Sequence, residues 1–334
     1  MMFNKKIEAT QFGLQSKLWT LGFEPSYQAA IPVPKIDPDH IFDALFFEQL
    51  RMWWEGEDTR TPLYISGPTG CGKTSTITQF LARVGAPVVS HTCRRRMDKQ
   101  DLIGRFGVEP SGQFCWFDGP AALAYRHGAV LLINEFSTAP AETWVSCNDL
   151  LEGADLRIDA TGEVIARHPN TRVIITDNCA CAAAGEDDAY LGREAQDASV
   201  ADRFWHLRMN FIPRETEGEV LYAKTRAAAA GLPEEKVVSV IAQVLDFVAF
   251  TRTLGNNGNA FAASVPAVSS RVSVRFLNIL FGLIKARDSM KKKDADTLLP
   301  NIVQKALDMA YTNALAQEAR DTLQQAAAFT LTDI

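Results

Sequence analysis

One glycine-rich loop has the residue types and the spacing needed to hold a polyphosphate. It reads Gly67-Pro-Thr-Gly-Cys-Gly-Lys-Thr74 and fits the pattern G-x-x-x-x-G-K-[ST]. Glycines let backbone N–H groups turn inward around phosphate oxygens, and the N-terminus of a following helix adds positive potential. Lys73 would reach the β- and γ-phosphates, and Thr74 would ligate Mg²⁺. The predicted phosphate-binding residues are Gly67, Pro68, Thr69, Gly70, Cys71, Gly72, Lys73, Thr74 and Ser75.

An acidic residue at the end of another buried strand should complete such a site. The segment Val130-Leu-Leu-Ile-Asn-Glu135 supplies it. The usual pair here is Asp-Glu, in which Asp holds the Mg²⁺ shell and Glu polarises water. Asn134 stands in the first position, where its amide oxygen can accept a hydrogen bond from Thr74 or a metal-bound water but brings no charge. Glu135 is placed to act as the base that orients the attacking water.

The Asn134 departure leaves two readings of this site open. We expect hydrolysis with weakened Mg²⁺ affinity, because Lys73 and Glu135 are both present. In the alternative, Asn134 marks a subunit that binds nucleotide and does not hydrolyse it. Asn178, at the end of Val173-Ile-Ile-Thr-Asp-Asn178, could position the water or contact the γ-phosphate, although a polar residue after a strand is also common in turns.

The elements that must position these side chains alternate between short apolar runs and helices. Continuous apolar strands separated by helices are typical of a parallel sheet covered on both faces. Two segments, 106–118 and 156–167, contain Gly-centred turns between β-prone pieces and predict hairpins inserted into this α/β unit. Strands are predicted at 63–66, 87–90, 130–133, 172–176 and 205–209, and helices at 73–84 and 141–151.

The two ends of the chain have a different pattern. Residues 1–36 form a mixed opening segment, and apolar residues at helical spacing predict a helix over 39–57. After Pro213 the strands stop, and helices are predicted at 215–230, 234–253, 274–287 and 301–329. The predicted organisation is a lead segment at 1–57, an α/β nucleotide-binding domain at 58–212 and a small all-helical lid domain at 213–334.

The composition excludes several classes of protein. The 334 residues carry 34 Lys and Arg against 40 Asp and Glu, a formal net charge of −6, which argues against general nucleic-acid binding. The basic runs 94–96 and 291–293 lack interleaved aromatic residues and are interpreted as solvated faces. No apolar run approaches the length that crosses a bilayer, so a cytoplasmic protein is expected.

The six cysteines do not form a disulfide framework in a chain of this length. Two pairs were considered as metal ligands, His91 with Cys93 and Cys179 with Cys181. Structural zinc sites usually show two to four intervening residues, whereas each pair here has a single one. We therefore predict buried thiols and no zinc site at these positions.

The motifs, in their order along the chain, resemble an AAA+ ATPase of the MoxR branch and most of all the CobS-type ATPase subunit of aerobic cobaltochelatase. The resemblance rests on the phosphate loop, the strand ending in Glu135, Asn178 and Ala201-Asp-Arg-Phe204, and it covers nearly the whole chain. The phosphate-loop motif is highly specific. The other stretches support the resemblance through their order along the chain. These other stretches are 33–42, 101–104, 167–170, 202–205 and 318–323.

The resemblance also implies roles for individual residues. Glu135 would be the catalytic base, Asn178 the sensor 1 residue, and Arg203 the arginine finger acting on ATP held by a neighbouring subunit. Arg275 resembles the sensor 2 arginine of Ser-Pro-Arg motifs, although Val replaces the Pro and Arg271 lies close by. A surface ion pair of Arg203 with a nearby carboxylate is the alternative to the finger; the acidic residues considered are Asp202 and Glu215.

At the level of function, the resemblance implies a ring, usually a hexamer, that uses ATP and Mg²⁺ and works beside a protein with a von Willebrand A domain. The leading prediction is a motor that remodels a protein complex, in the narrower version with a large chelatase subunit. CobS-like sequences also occur outside cobalamin pathways, so cobalt insertion does not follow. A regulatory nucleotide switch or scaffold with weak hydrolysis is the alternative, and a nucleic-acid motor is a third class.

Overall fold

The computed structural model describes residues 3–15, 17–23, 30–181, 196–256, 267–332 and 334. The chain divides into two compact units. The first unit contains Met1–Pro68 and Gly72–Asn210, and the second contains Thr69–Cys71 and Phe211–Ile334. None of the helices in these described stretches is long and apolar enough to cross a membrane.

The elements of the first unit alternate between strands and helices over most of its length. Its strands are β1 (Phe3–Glu8), β2 (Trp19–Phe23), β3 (Leu63–Ser66), β4 (Val88–Thr92), β5 (Gly104–Val108), β6 (Phe114–Asp118), β7 (Val130–Asn134), β8 (Leu156–Arg157), β9 (Val164–Ile165), β10 (Arg172–Thr176) and β11 (Trp205–Arg208). Its helices are α1 (Ala44–Glu55), α2 (Lys73–Arg83), α3 (Lys99–Ile103), α4 (Pro120–His127), α5 (Ala141–Ser146), α6 (Asn148–Leu151) and α7 (Ala198–Ala201).

The described part of the second unit is helical. Its helices are α8 (Arg214–Ala229), α9 (Glu234–Asn256), α10 (Ser270–Asp288), α11 (Lys292–Leu298), α12 (Ile302–Ala310) and α13 (Gln317–Thr330). One apolar core, which includes Phe247, Phe276 and Phe281, is formed by residues of α8, α9, α10, α12 and α13. Inside this unit the buried Glu217 carboxylate accepts two hydrogen bonds from the Arg252 guanidinium, at 2.7 and 2.8 Å, so a charge that burial would penalise is paired.

The central sheet is parallel and has the strand order β11-β3-β10-β7-β4. Every residue of β7 and β10 is buried, as expected for strands covered on both faces. In the register, Asn134 of β7 lies opposite Thr92 of β4 and Thr176 of β10. The carboxyl ends of these strands therefore meet at one edge of the sheet. The predicted α/β fold, with a helical C-terminal region, is confirmed.

Both predicted hairpins are present. Strands β5 and β6 pair in antiparallel register from Gly104 opposite Asp118 to Val108 opposite Phe114. Strands β8 and β9 form a shorter pair, with Leu156 opposite Ile165. The turn of the longer hairpin needs Gly112, whose φ of 85° lies in the left-handed region that glycine adopts without a Cβ penalty.

Several predicted elements differ from the structure in extent. The opening segment contains an antiparallel pair, β1 with β2, that its mixed composition did not indicate. The first helix begins at Ala44 and not at residue 39, because the Asp43 side chain caps it by accepting from the Phe46 N–H at 2.8 Å. The helix predicted over 141–151 is divided at Cys147, where φ and ψ are −105° and 24°.

The single helix predicted over 301–329 is wrong, because the chain leaves the helical conformation at Tyr311, with φ of −155°. Asp308 stabilises the break: it accepts from the Thr312 hydroxyl, and also at 2.9 Å from Arg320 and at 2.8 Å from Gln324, both on α13. These side-chain contacts compensate for helical hydrogen bonds lost between the two segments. Helix α11, which contains two of the three lysines of the basic run 291–293, was not predicted.

Candidate nucleotide-binding site

The glycine-rich loop lies between β3 and α2, as the sequence predicts. Helix α2 begins at Lys73 directly after Gly72, whose φ is 102°, and Gly70 has a φ of 79°. Both values lie in the left-handed region, where residues with a Cβ are disfavoured. The Thr76 N–H donates to the Gly72 carbonyl at 2.8 Å and closes the first turn. The start of α2 therefore adjoins the loop, the arrangement in which helix N-termini bind phosphate.

Lys73 is 7% exposed, and its ammonium has acceptors both in the loop and outside it. Its Nζ donates to the carbonyl oxygens of Gly67, at 2.7 Å, and Pro68, at 3.0 Å. It also donates to Oδ1 of Asn178, at 3.1 Å. Lys73, which is predicted to bind the phosphates, is therefore hydrogen-bonded directly to Asn178, which follows β10.

Asn134 has hydrogen bonds on both ends of its amide. Its Oδ1 accepts from the hydroxyls of Thr74, at 3.1 Å, and Thr176, at 2.9 Å. Its Nδ2 donates to Ser90 Oγ at 3.1 Å and to the His91 carbonyl at 3.4 Å. The Thr74 contact is the one expected from the sequence, whereas Ser90 and Thr176 were not considered. All of these partners are neutral, so the network supplies polar oxygens without the charge of an aspartate.

The two neutral oxygens suit a magnesium ion that is bound mainly through its nucleotide. Mg²⁺ prefers oxygen ligands, keeps several waters and is often held by one or two protein groups plus substrate phosphates. Thr74 Oγ1 and Asn134 Oδ1 are such oxygens and lie 3.1 Å apart. In the described residues, no group of three or more His, Cys, Asp or Glu side chains is arranged to hold a metal ion without a nucleotide.

Glu135 follows β7 in an unusual backbone conformation. Its φ and ψ are 59° and 44°, in the left-handed region. Its N–H donates to the Thr176 carbonyl at 2.9 Å, and its Oε2 accepts from Nδ2 of Asn178 at 3.2 Å. Asn178 therefore joins Lys73 through its oxygen and Glu135 through its nitrogen. The structure brings the predicted cation, carboxylate and strand-terminal amide into one hydrogen-bonded chain.

Asp177 was not predicted as a site residue, although it lies between β10 and Asn178. Its side chain is 1% exposed, and it accepts from the N–H groups of Ser137, at 2.5 Å, and Asn178, at 2.7 Å. The Tyr64 hydroxyl donates to it at 3.1 Å. A carboxylate placed directly after a strand with an apolar centre was the available signal, because buried acidic residues are rare without partners.

Arg203 lies in the first unit just after α7. Its Nε donates to Oε1 of Glu152 at 3.1 Å, and its Nη1 donates to the Ser199 carbonyl. As the alternative to an arginine finger, the sequence predicts a surface ion pair of Arg203 with Asp202 or Glu215. The structure contains such an ion pair, but its carboxylate is that of Glu152. The pair is partly exposed, so its Coulombic contribution is screened and small. Such a contact can be exchanged for another anion at low cost.

The other two predicted arginines, Arg271 and Arg275, belong to α10 of the second unit and are exposed. Arg275 donates through Nη1 to the Ala310 carbonyl at 3.2 Å, within that unit. Their predicted roles remain predictions.

The cysteines of the two pairs with possible metal ligands, His91 with Cys93 and Cys179 with Cys181, are free thiols. Burial raises the pKa of Cys181 to about 12, so that thiol stays protonated.

The fold is a parallel α/β sheet with a glycine-rich loop between β3 and α2, as in phosphate-binding domains. Residues 62–204 match the family model described as "AAA domain (dynein-related subfamily)". That segment contains the loop, the parallel sheet from β3 to β10 and Arg203. The match supports the AAA+ resemblance of the sequence over these residues, which make up less than half of the chain.

Three curated proteins are similar to part of this chain. Protein CbbQ of Hydrogenophilus thermoluteolus is 30% identical over 172 residues, 51% of this chain and 61% of CbbQ. Protein NorQ of Paracoccus denitrificans is 35% identical over 118 residues, 35% of this chain and 43% of NorQ. The denitrification regulatory protein NirQ of Pseudomonas aeruginosa is 27% identical over 179 residues, 53% of this chain and 64% of NirQ.

The matched part spans less than two thirds of each of these relatives. The comparisons support an AAA domain at residues 62–204.

Proposed function

We propose that this chain is an ATP-hydrolysing motor of the MoxR branch that remodels a protein complex. The observation that carries the proposal is the position of Asn178, which accepts from Lys73 at 3.1 Å and donates to Glu135 at 3.2 Å. One amide thus spans the group that would bind the phosphates and the group that would activate water. A loop that only bound nucleotide would not need the second contact.

In the proposed reaction, Lys73 and the loop amides bind the β- and γ-phosphates. Glu135 accepts a proton from a water molecule while the water oxygen bonds to the γ-phosphorus. The bond from that phosphorus to the β–γ bridging oxygen breaks, and ADP leaves with the electron pair. Asn178 orients the Glu135 carboxylate and the Lys73 ammonium. Mg²⁺, held by Thr74 and Asn134, would supply charge neutralisation at the phosphates when bound.

The binding half of the proposal is tested by Lys73→Ala. We expect at least about tenfold weaker ATP binding, because one charge-assisted hydrogen bond is worth about 1.5–3 kcal/mol. Titration calorimetry with ATP measures the change. Lys99→Ala is the matched control, since Lys99 lies in the same unit and its Nζ pairs with Asp159 at 3.2 Å. Equal ATP affinities for the two variants would contradict the assignment of the loop.

A regulatory switch or scaffold with weak hydrolysis is the second candidate, and the neutral amide of Asn134 favours it. Asn134→Asp separates the two. A carboxylate is a better Mg²⁺ ligand than an amide, so the Mg²⁺ concentration for half-maximal hydrolysis should fall several-fold. It is read from phosphate release during a Mg²⁺ titration, with Asn278→Asp, an exposed site on α10, as the control. An unchanged Mg²⁺ dependence would show that Asn134 does not limit the reaction.

We further propose that the chain works as a ring, usually a hexamer, beside a partner protein with a von Willebrand A domain. The β5–β6 hairpin supports the proposal of a protein partner. Phe106 is 42% exposed and Phe114 66% exposed, and their stacked rings have centroids 5.0 Å apart. Exposed apolar side chains grouped in this way mark interaction surfaces.

The narrower proposal is an ATPase subunit of a cobaltochelatase-like metal insertion machine. Co-purification with ATP present, followed by identification of the bound proteins, tests it. A von Willebrand A protein together with a large chelatase subunit would support metal insertion. A von Willebrand A protein alone would favour a general remodeller and contradict the narrower version.

A further inference from the structure

We infer that Asp177 is a positioning residue that holds Glu135 and Asn178 in the geometry needed for hydrolysis. This inference rests on the proposed function, because it gives a role in the reaction to a side chain outside the phosphate-loop motif. It goes beyond the motif residues, since Asp177 would act only through its neighbours.

The two oxygens of the Asp177 carboxylate bind two different parts of the site. Oδ1 accepts from the N–H of Asn178 at 2.7 Å, and Oδ2 accepts from the N–H of Ser137 at 2.5 Å. Asn178 is the residue that contacts Lys73 and Glu135, and Ser137 lies two residues after Glu135. One buried carboxylate therefore ties the end of β10 to the turn that follows β7.

The turn after β7 needs such support because Glu135 is strained. Its φ of 59° places a residue with a Cβ in the left-handed region, which side chains other than glycine rarely adopt. Strained conformations persist where the surrounding contacts over-determine them. Here the Glu135 N–H donates to Thr176 and the Thr138 N–H donates to the Glu135 carbonyl, each at 2.9 Å, while Asp177 holds Ser137.

Tyr64 of β3 also contacts the carboxylate. Its hydroxyl donates to Oδ2 of Asp177, at 3.1 Å, and lies 3.1 Å from the Cys179 carbonyl. Burial, and then the charge of Asp177, raises the pKa of Tyr64 above its ordinary value, so the hydroxyl stays a donor. Tyr64→Phe would remove a hydrogen bond to Asp177 and leave the contacts of Asp177 with Ser137 and Asn178 in place, which makes it a matched control.

The geometry requires a carboxylate and not merely a polar side chain. An asparagine at 177 has one accepting oxygen and one donating nitrogen. Whichever way it turned, its amide nitrogen would face the N–H of Ser137 or of Asn178, and one of the two contacts would be lost. Leaving a buried donor unsatisfied is costly, and the site would relax to avoid it.

The test compares Asp177→Asn with Tyr64→Phe and the wild type, with kcat for ATP hydrolysis and ATP affinity measured separately. We expect kcat of Asp177→Asn to fall about tenfold or more, in line with the cost of an unsatisfied buried donor. ATP affinity should change less than about twofold, since the contacts of Lys73 with the Gly67 and Pro68 carbonyls do not depend on Asp177. Tyr64→Phe keeps both main-chain contacts and should stay within about threefold of wild-type kcat.

Hydrogen exchange of the Ser137 and Asn178 amides gives a readout that does not depend on catalysis. Both amides should exchange slowly in the wild type, and at least one should exchange faster in Asp177→Asn. Fast exchange of both in the wild type would overturn the inference even if the variant failed to fold. An Asp177→Asn kcat equal to that of Tyr64→Phe, or a parallel loss of ATP affinity, would also overturn it. A wild type that binds ATP and releases no phosphate would instead overturn the proposed function, and the amide exchange would still show whether Asp177 holds the turn.

Discussion

Glu135→Gln is expected to lower the rate of ATP hydrolysis by about 10²–10⁴-fold, the usual contribution of a positioned general base. Glutamine keeps the size and the oxygen that accepts from Asn178 but cannot take a proton from water. ATP affinity should be unchanged, because the phosphates are bound by the loop. Steady-state phosphate release at saturating ATP measures the rate, and titration calorimetry measures the affinity.

Glu142→Gln provides the matched control for this experiment, because Glu142 is an exposed glutamate in the first turn of α5. Its rate should equal that of the wild type. If Glu135→Gln released phosphate as fast as Glu142→Gln, Glu135 would not be the base.

Arg203→Ala is expected to lower hydrolysis in the assembled protein by about 10³–10⁵-fold, the range found for arginine fingers. The proposed finger acts on ATP in a neighbouring subunit. The loss of hydrolysis should therefore appear in the assembled protein, whereas ATP binding by the isolated chain should be unchanged. In the structure the guanidinium is held by Glu152 and the Ser199 carbonyl. Those contacts would have to be exchanged for the γ-phosphate when subunits meet.

A mixing experiment separates a finger acting between subunits from a local role. Lys73→Ala subunits keep Arg203 but bind ATP poorly, whereas Arg203→Ala subunits bind ATP without a finger. Neither should hydrolyse ATP alone, and a mixture should recover part of the activity. Arg157→Ala, on the short β8–β9 hairpin, is the control and should behave like the wild type. No recovery on mixing, or normal activity of Arg203→Ala alone, would favour the surface ion pair.

Much of the fold could be predicted because its signals are local. The apolar run before Gly67 and the one that ends at Asn134 predict buried parallel strands, and glycines at the loop predict the positive φ values. The carboxyl ends of parallel strands meet at one edge, so the approach of Asn134 to Thr74 could also be expected.

The features that were missed depend on tertiary contacts. Helix α12 ends near Tyr311 because Asp308 is bonded to residues that come later in the chain, and the sequence there contains no Gly or Pro to mark the break. Glu152 lies 51 positions before Arg203, so sequence proximity pointed to other carboxylates. Asp177 reads as a residue in a turn until the amide of Ser137, 40 positions earlier, is seen to bond to it.

The most direct test of the central claim is phosphate release from Mg²⁺-ATP by the purified wild-type protein, at concentrations where ATP binding has been demonstrated by titration. The account predicts continuous, saturable turnover that is lost in Lys73→Ala and in Glu135→Gln. Saturated ATP binding without phosphate release, in the assembled protein and at high Mg²⁺, would contradict the motor and leave the nucleotide switch as the function of this site.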